Sequence, residues 1–315
     1  MRTILVFIGL LCALILPFSE GSTIGLKSDR EFHQSTSFAS DPLLVPQCGI
    51  SNVQTDRIVG GTEAILGEFP WIVRLGQIIS PMPGLQWISW ICGGTLISER
   101  HILTAAHCFS DSSLMNFLVN YIARIGDLDF DSNDDGAHPV EVLIKEIIIH
   151  NKYNDISHEN DAAVLKTDRK VQFTSMLLPA CLPLGNMKNK NLEGEEVSIA
   201  GWGNTKYQGS SPNMLLEAKT FLTTQKECKT AYSKLPTAVI DNRTLCAASP
   251  GIDSCQGDSG GPLMIRFGNK TYVIGIVSWG KGCAEPNYPG VYTKVAEFLS
   301  FIKQCIGIEV FLIKN

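Results

Sequence analysis

The sequence predicts an all-β fold closed by a C-terminal helix. Two observations point there: short apolar runs alternate with turn residues, and the apolar residues near the end switch to helical spacing, while the 44% hydrophobic content supports a sizeable core. The runs Trp71–Leu75, Val142–Ile149, Val197–Ala200 and Tyr272–Ser278 have strand length and sit between turn clusters. Between the first two lies Ser80-Pro-Met-Pro-Gly-Leu-Gln-Trp-Ile-Ser-Trp90, read as an apolar, aromatic loop inserted between strands. In the tail, Val291, Val295, Phe298, Leu299 and Ile302 recur at helical intervals, so a closing helix is expected over 291–305.

Ahead of the strands the chain is organised differently. Met1-Arg-Thr precedes an apolar stretch from Ile4 to Pro17 and the small residues Ser19 and Gly21, the pattern of a secretory leader over 1–21. Those 14 apolar residues fall short of the roughly 20 that a spanning helix needs, so export is expected rather than a membrane anchor. Residues 22–57 are polar, aperiodic and carry one cysteine, which reads as an extended propeptide. Residues 58–315 form the main domain. The formal charge is −5, from 26 basic and 31 acidic residues without a basic block, which argues against nucleic acid as a partner.

Two segments carry chemistry. Asp253-Ser-Cys-Gln-Gly-Asp-Ser-Gly-Gly-Pro-Leu263 sets Ser259 among glycines whose amides can approach a reacting carbonyl, and Thr104-Ala-Ala-His-Cys108 supplies His107, a base suited to a serine proton near neutral pH. Gly257-Asp-Ser-Gly-Gly261 also fits the nucleophile elbow of α/β-hydrolases, but that fold needs a histidine after the serine. All six histidines precede Ser259. The available order is therefore His, Asp, Ser. Among the intervening aspartates, Asp161 stands directly before the apolar run Ala-Ala-Val-Leu165, the setting of an acid buried to orient an imidazole, whereas Asp155 and Asp168 lie in polar surroundings.

Together these residues resemble the chymotrypsin/trypsin family of serine proteases. Arg57-Ile-Val-Gly-Gly61, Trp90-Ile-Cys-Gly-Gly-Thr-Leu-Ile97, Gly201-Trp-Gly203, Ile276-Val-Ser-Trp-Gly280 and Pro289-Gly-Val-Tyr292 extend the likeness across the second part of the chain. The resemblance implies two six-stranded antiparallel β-barrels with a C-terminal helix, and a trypsin-like endopeptidase made as a zymogen. It makes His107, Asp161 and Ser259 a catalytic triad, with the amides of Gly257 and Ser259 as the oxyanion hole. Asp253 would floor a pocket for substrate Arg or Lys, with Ser254 beside it and Gly280 and Gly290 in its walls. Cleavage at Arg57–Ile58 would create an α-ammonium on Ile58 that pairs with Asp258.

The resemblance also implies the bridges Cys48–Cys181, Cys92–Cys108, Cys228–Cys246 and Cys255–Cys283, with Cys305 left over once Cys12 leaves with the leader. Closing about 15 residues around His107, the second bridge contributes on the order of 3 kcal/mol. A further bridge frequent in the family is missing, because its positions hold Val197 and Ile265; packing is expected to replace it. After activation the two chains would stay linked through Cys48, giving a secreted monomer whose partners are protein or peptide substrates, an activating protease and serine protease inhibitors. Arthropod extracellular and venom relatives offer the nearest pattern; the clip domain of some of them needs more cysteines than Cys48.

No cofactor is required by this chemistry, and Pro289 stands where sodium-activated relatives carry tyrosine. Asp127, Asp129, Asp131, Asp134 and Asp135 fall in a loop that holds calcium in some relatives; calcium ligation, with Asp127, Asp129 and Asp134 as ligands, and a solvated acidic loop are both open readings. Asn242 and Asn269 begin glycosylation sequons. The rival to an enzyme is a catalytically inactive secreted homologue acting as a binding protein.

Overall fold

The computed structural model describes residues 43, 45–53, 62–82, 84–110, 120–204, 209–249, 257–282 and 285–312. The expected leader, the Arg57–Ile58 junction, Asp253, Ser254 and the Cys255–Cys283 pair lie outside the described residues. In chain order the strands are β1 (Thr62–Glu63), β2 (Ile72–Met82), β3 (Leu85–Leu96), β4 (His101–Thr104), β5 (Asn120–Ile125), β6 (Val140–Ile149), β7 (Ala163–Thr167), β8 (Glu196–Gly201), β9 (Leu216–Leu222), β10 (Thr244–Ala248), β11 (Pro262–Phe267), β12 (Lys270–Trp279) and β13 (Gly290–Lys294). Two helices join them, α1 (Gln225–Tyr232) and α2 (Leu299–Leu312).

Strands β2, β3, β4, β7, β6 and β5 pair antiparallel in that order and close on themselves. Strands β8, β9, β10, β13, β12 and β11 form a second ring, closed because β8 pairs with both β9 and β11, and β1 adds to β9. The expected pair of six-stranded antiparallel barrels is present. Closure removes the exposed edges that an open sheet of this length presents to other chains. In the first barrel Ile72, Leu75, Leu96, Leu103, Ile125 and Leu165 are almost wholly buried. The second barrel is filled by Val197, Ile199, Leu263, Ile265, Ile274 and Tyr292. Val197 and Ile265 thus share one apolar cluster where the expected packing replaces a crosslink.

Two sequence expectations need correction. The segment Ser80–Trp90 is not a loop: β2 and β3 continue through it as a hairpin, with Ile78 opposite Ile88, Ile79 opposite Trp87 and Met82 opposite Leu85. Cross-strand pairs of β-branched and aromatic residues favour this pairing, and a register shift between Ile79 and Met82 accommodates Pro81. The closing helix also begins later than expected. Val291 and Tyr292 lie in β13, opposite Cys246 and Leu245 of β10, so the spacing from Val291 to Val295 spans a strand followed by a short 3-10 turn at Val295–Glu297. Helix α2 then carries Leu299, Ile302 and Cys305 into the same core cluster as the first barrel.

Helix α1 begins at a capping box: Thr224 accepts from the Glu227 amide while the Glu227 carboxylate takes the Thr224 amide. Disulfides join Cys48 to Cys181, Cys92 to Cys108 and Cys228 to Cys246. Cys305 is free and buried, and burial pushes its thiol up to about 12, which leaves it unreactive.

Leu165 is fully buried in β7, four residues after Asp161. Leu165→Ala should lower the stability of the bridged protein by about 2–5 kcal/mol, read from guanidinium unfolding curves; a change within 0.5 kcal/mol, about that of a surface substitution, would remove β7 from the core.

Candidate active site

The site forms where the barrels meet, and backbone contacts bring it together. His107 sits in a 3-10 turn, Ala106–Phe109, directly after β4. Ser259 sits in the turn entering β11, and its carbonyl accepts from the Gly93 amide of β3 at 2.7 Å. Gly260 follows with φ +80°, and a Cβ there would lie 2.2 Å from Thr104 Oγ1 and 2.7 Å from the Gly93 carbonyl oxygen. Only glycine lets the serine turn press this closely against β3 and β4. Cys108 Sγ, next to His107, is 3.8 Å from the Ser259 carbonyl oxygen.

Asp161 enters from the loop between β6 and β7 and is wholly buried. Its carboxylate accepts from the His107 amide at 2.9 Å and lies 2.8 Å from His107 Nδ1. A third donor is the Ser278 hydroxyl of β12, and Thr293 Oγ1 of β13 donates to the Asp161 carbonyl at 2.8 Å. Burial alone pushes the Asp161 carboxyl up. The hydrogen bonds and charge of His107, with the Ser278 hydroxyl, outweigh it and hold the group below the usual carboxylate range. Both barrels therefore grip one carboxylate. The His107 ring remains about one-fifth exposed, with its Nε2 left over for chemistry once Nδ1 faces Asp161.

Asp258 lies under the Gly201-Trp-Gly203 segment: the Gly203 amide donates to Oδ1 at 2.8 Å. A Cβ on Gly203 would fall 2.3 Å from the Asp258 carboxyl carbon, and one on Gly201 2.2 Å from Oδ1, so both glycines make room for this side chain. Gly257, at φ +99°, packs against Gly203. Gly280 is exposed just after β12, while Gly290 is buried opposite Ala247 at the start of β13.

The aspartate-rich loop is arranged by internal bonds. Asp127 is buried against Arg124 Nε at 2.6 Å, Asp129 accepts from the Asp131 amide, and Asp135 accepts from the Asp129 and Ala137 amides. Burial raises the Asp127 pKa despite Arg124. Among the described residues, Asp127, Asp129 and Asp134 do not form a converging set of three ligands. Asn242 and Asn269 are both exposed.

Sequence reasoning gave no role to Ser278, Thr293, Arg243 or His158. Ser278 belongs to the Ile-Val-Ser-Trp-Gly run, which was the available signal. Arg243, ahead of β10, donates to Glu159 at 2.7 Å, to Asn160 Oδ1 at 3.0 Å and to Asp241, clamping the segment just before Asp161 from the opposite barrel. Its guanidinium is stabilised in the charged form chiefly by Asp241 and then by Glu159. His158, two residues ahead of that aspartate's neighbour Asn160, stands edge to face with His107 at a centroid distance of 5.7 Å, and burial lowers its pKa.

Comparison with known proteins decides the family. The trypsin family model matches residues 58–302. The chain belongs to the trypsin family. The venom serine protease Bi-VSP of Bombus ignitus is 44% identical over 262 residues, 82% of this chain and 71% of that protein. A venom protease of Bombus pensylvanicus is 43% identical over 249 residues, covering 78% and 98%. The proclotting enzyme of Tachypleus tridentatus is 37% identical over 268 residues, covering 84% and 70%. This trypsin-family chain is a serine endopeptidase by that kinship, and no helix among the described residues is long and apolar enough to cross a membrane.

Because the folded Asp161 pKa is depressed, the stability it contributes is present above the unfolded value near 4 and lost as pH falls through the folded one. Ser278→Ala removes one donor, so the folded pKa rises. Acid unfolding should then begin at higher pH, with about 1 kcal/mol lost at neutral pH. An unchanged acid midpoint would mean that the Ser278 hydroxyl does not hold the carboxylate.

Proposed function

We propose that this chain is a secreted zymogen which, once cut at Arg57–Ile58, hydrolyses peptide bonds after Arg and Lys through His107, Asp161 and Ser259. The observation that carries this reading is the wholly buried Asp161 bonded to both the Nδ1 and the amide of His107, with the Ser259 turn docked beside them. Ser259 Oγ attacks the substrate carbonyl as His107 Nε2 takes its proton. Asp161 keeps the imidazole proton on Nδ1 and stabilises the imidazolium that forms. The amides of Gly257 and Ser259 receive the developing oxyanion, where one such donor is typically worth about 3 kcal/mol. His107 then returns the proton to the leaving amine, and water repeats the sequence on the acyl-enzyme.

Specificity rests on Asp253, a carboxylate that a cationic side chain compensates on entry. Activation rests on the ammonium that only cleavage can create at Ile58. Its pairing with Asp258, already lodged under Gly203, would order the turn carrying Gly257 and Ser259. Removing one partner of a buried pair typically costs about 3–5 kcal/mol, enough to set the balance between idle and competent forms. The leader pattern and the kinship with venom proteases support export.

A fluorophosphonate probe separates this reading from an inactive binding homologue. After cleavage the probe should label Ser259 in the parent and nothing in Ser259→Ala, which should also lose peptide hydrolysis to a residual level while folding normally. Asp253→Ser should abolish the preference for Arg and Lys over Phe and Ala substrates. Activity of Ser259→Ala within tenfold of the parent would sink the assigned nucleophile, and a parent that prefers Phe would sink the pocket.

A further inference from the structure

His107, His158 and Asp161 each offer a ligand atom within 4.8 Å of the other two. Asp161 cannot serve as a free ligand, because its carboxylate is wholly buried and already engaged by His107 and Ser278. It instead does for His107 what an outer carboxylate does in a metal centre: it accepts the Nδ1 proton, fixes the ring and directs the Nε2 lone pair outward. His158 supplies the second imidazole. Its Nδ1 lies 3.4 Å from the Tyr153 hydroxyl, and its ring stands perpendicular to that of His107, at an interplanar angle of 80°.

His158 is held there by unusual backbone. His158 and Asn160 have φ of +52° and +56°, a left-handed region that non-glycine residues occupy at some cost and that tends to mark functional segments. The bonds of Arg243 to Glu159 and Asn160, and that of Asn160 Nδ2 to the Lys152 carbonyl at 2.8 Å, keep the segment in this form.

We infer that His107 and His158 form a two-imidazole site for a borderline divalent cation of the zinc class, and that occupancy reversibly inhibits the enzyme. Imidazole nitrogens suit zinc and poorly suit calcium. Zinc–nitrogen bonds of about 2.0–2.1 Å place two tetrahedral ligands roughly 3.3 Å apart, a spacing that rings with centroids 5.7 Å apart reach by side-chain rotation, with solvent in the remaining positions. The bound cation occupies the His107 Nε2 lone pair, so the proton of Ser259 has no acceptor. This inhibition rests on the proposed role of His107 as the base; the binding site does not.

The test uses two readouts on the full chain. Zinc binding is measured on uncut protein by competition with a chromophoric chelator, and inhibition is measured on the cleaved protein, each variant referred to its own rate without metal. Zinc should bind and inhibit, calcium should do neither, and chelation with EDTA should restore the rate. His158→Ala, or His158→Gln where alanine impairs folding, should weaken both effects by at least the roughly tenfold that even the loss of an outer partner costs. His138→Ala, at an exposed histidine, should change neither. A His158 variant that binds zinc and is inhibited like the parent overturns the site, as does an active parent indifferent to zinc. If the cleaved parent hydrolyses nothing yet binds zinc through His158, the metal site stands and the catalytic reading falls.

Discussion

A carboxylate with no exposed surface, Asp161, is the constraint around which the rest of the site is arranged. An ionised carboxylate buried alone would cost several kcal/mol, and it would protonate before tolerating that position. Here the cost is offset by donors from two places in the chain, the amide and ring of His107 after β4 and the hydroxyl of Ser278 on β12, while Thr293 of β13 donates to the Asp161 main-chain carbonyl. Ser278 and Thr293 belong to one barrel and His107 to the other. Folding both barrels correctly is thus a condition for the ion, and the ion in turn fixes how His107 is presented.

The serine side of the site depends on close approach rather than on charge. Gly260 allows the Ser259 turn to press against Thr104 and Gly93, and the glycines of Gly201-Trp-Gly203 leave the space that the Asp258 side chain fills. A larger residue at any of these points would push the barrels apart or expel the carboxylate. Arg243 adds a third tie, from the second barrel to the loop before Asp161. The same tie supports His158, so the clamp that positions the orienting acid also positions the second imidazole.

Much of this was legible from residue order. The positions of His107, Asp161 and Ser259 stood out because the chain offers few histidine, aspartate and serine residues in that order beside glycine-rich and apolar runs, and β6, β8 and β12 were readable because their apolar runs are short and bounded by turn residues. The Ser80–Trp90 hairpin was missed because prolines mark breaks in a local reading, whereas cross-strand pairing such as Ile79 with Trp87 is non-local. The start of α2 was misplaced for a related reason. Val291 and Val295 fit a helical interval by coincidence, and the ladder of β13 with β10 and β12 overrode it. Ser278, Arg243 and His158 were silent because their roles depend on partners between 50 and 120 residues away, or on a backbone conformation, that no short motif encodes.

The central claim is that Asp161 sets the protonation pattern of His107, and the imidazole nitrogen shifts of His107 test it most directly. In 15N-histidine-labelled protein, at a pH where the ring is neutral, the account predicts a proton on Nδ1 and a bare Nε2. Asp161→Asn should reverse this, moving the proton to Nε2. A parent protein whose neutral His107 carries its proton on Nε2 would contradict the account, whatever its activity.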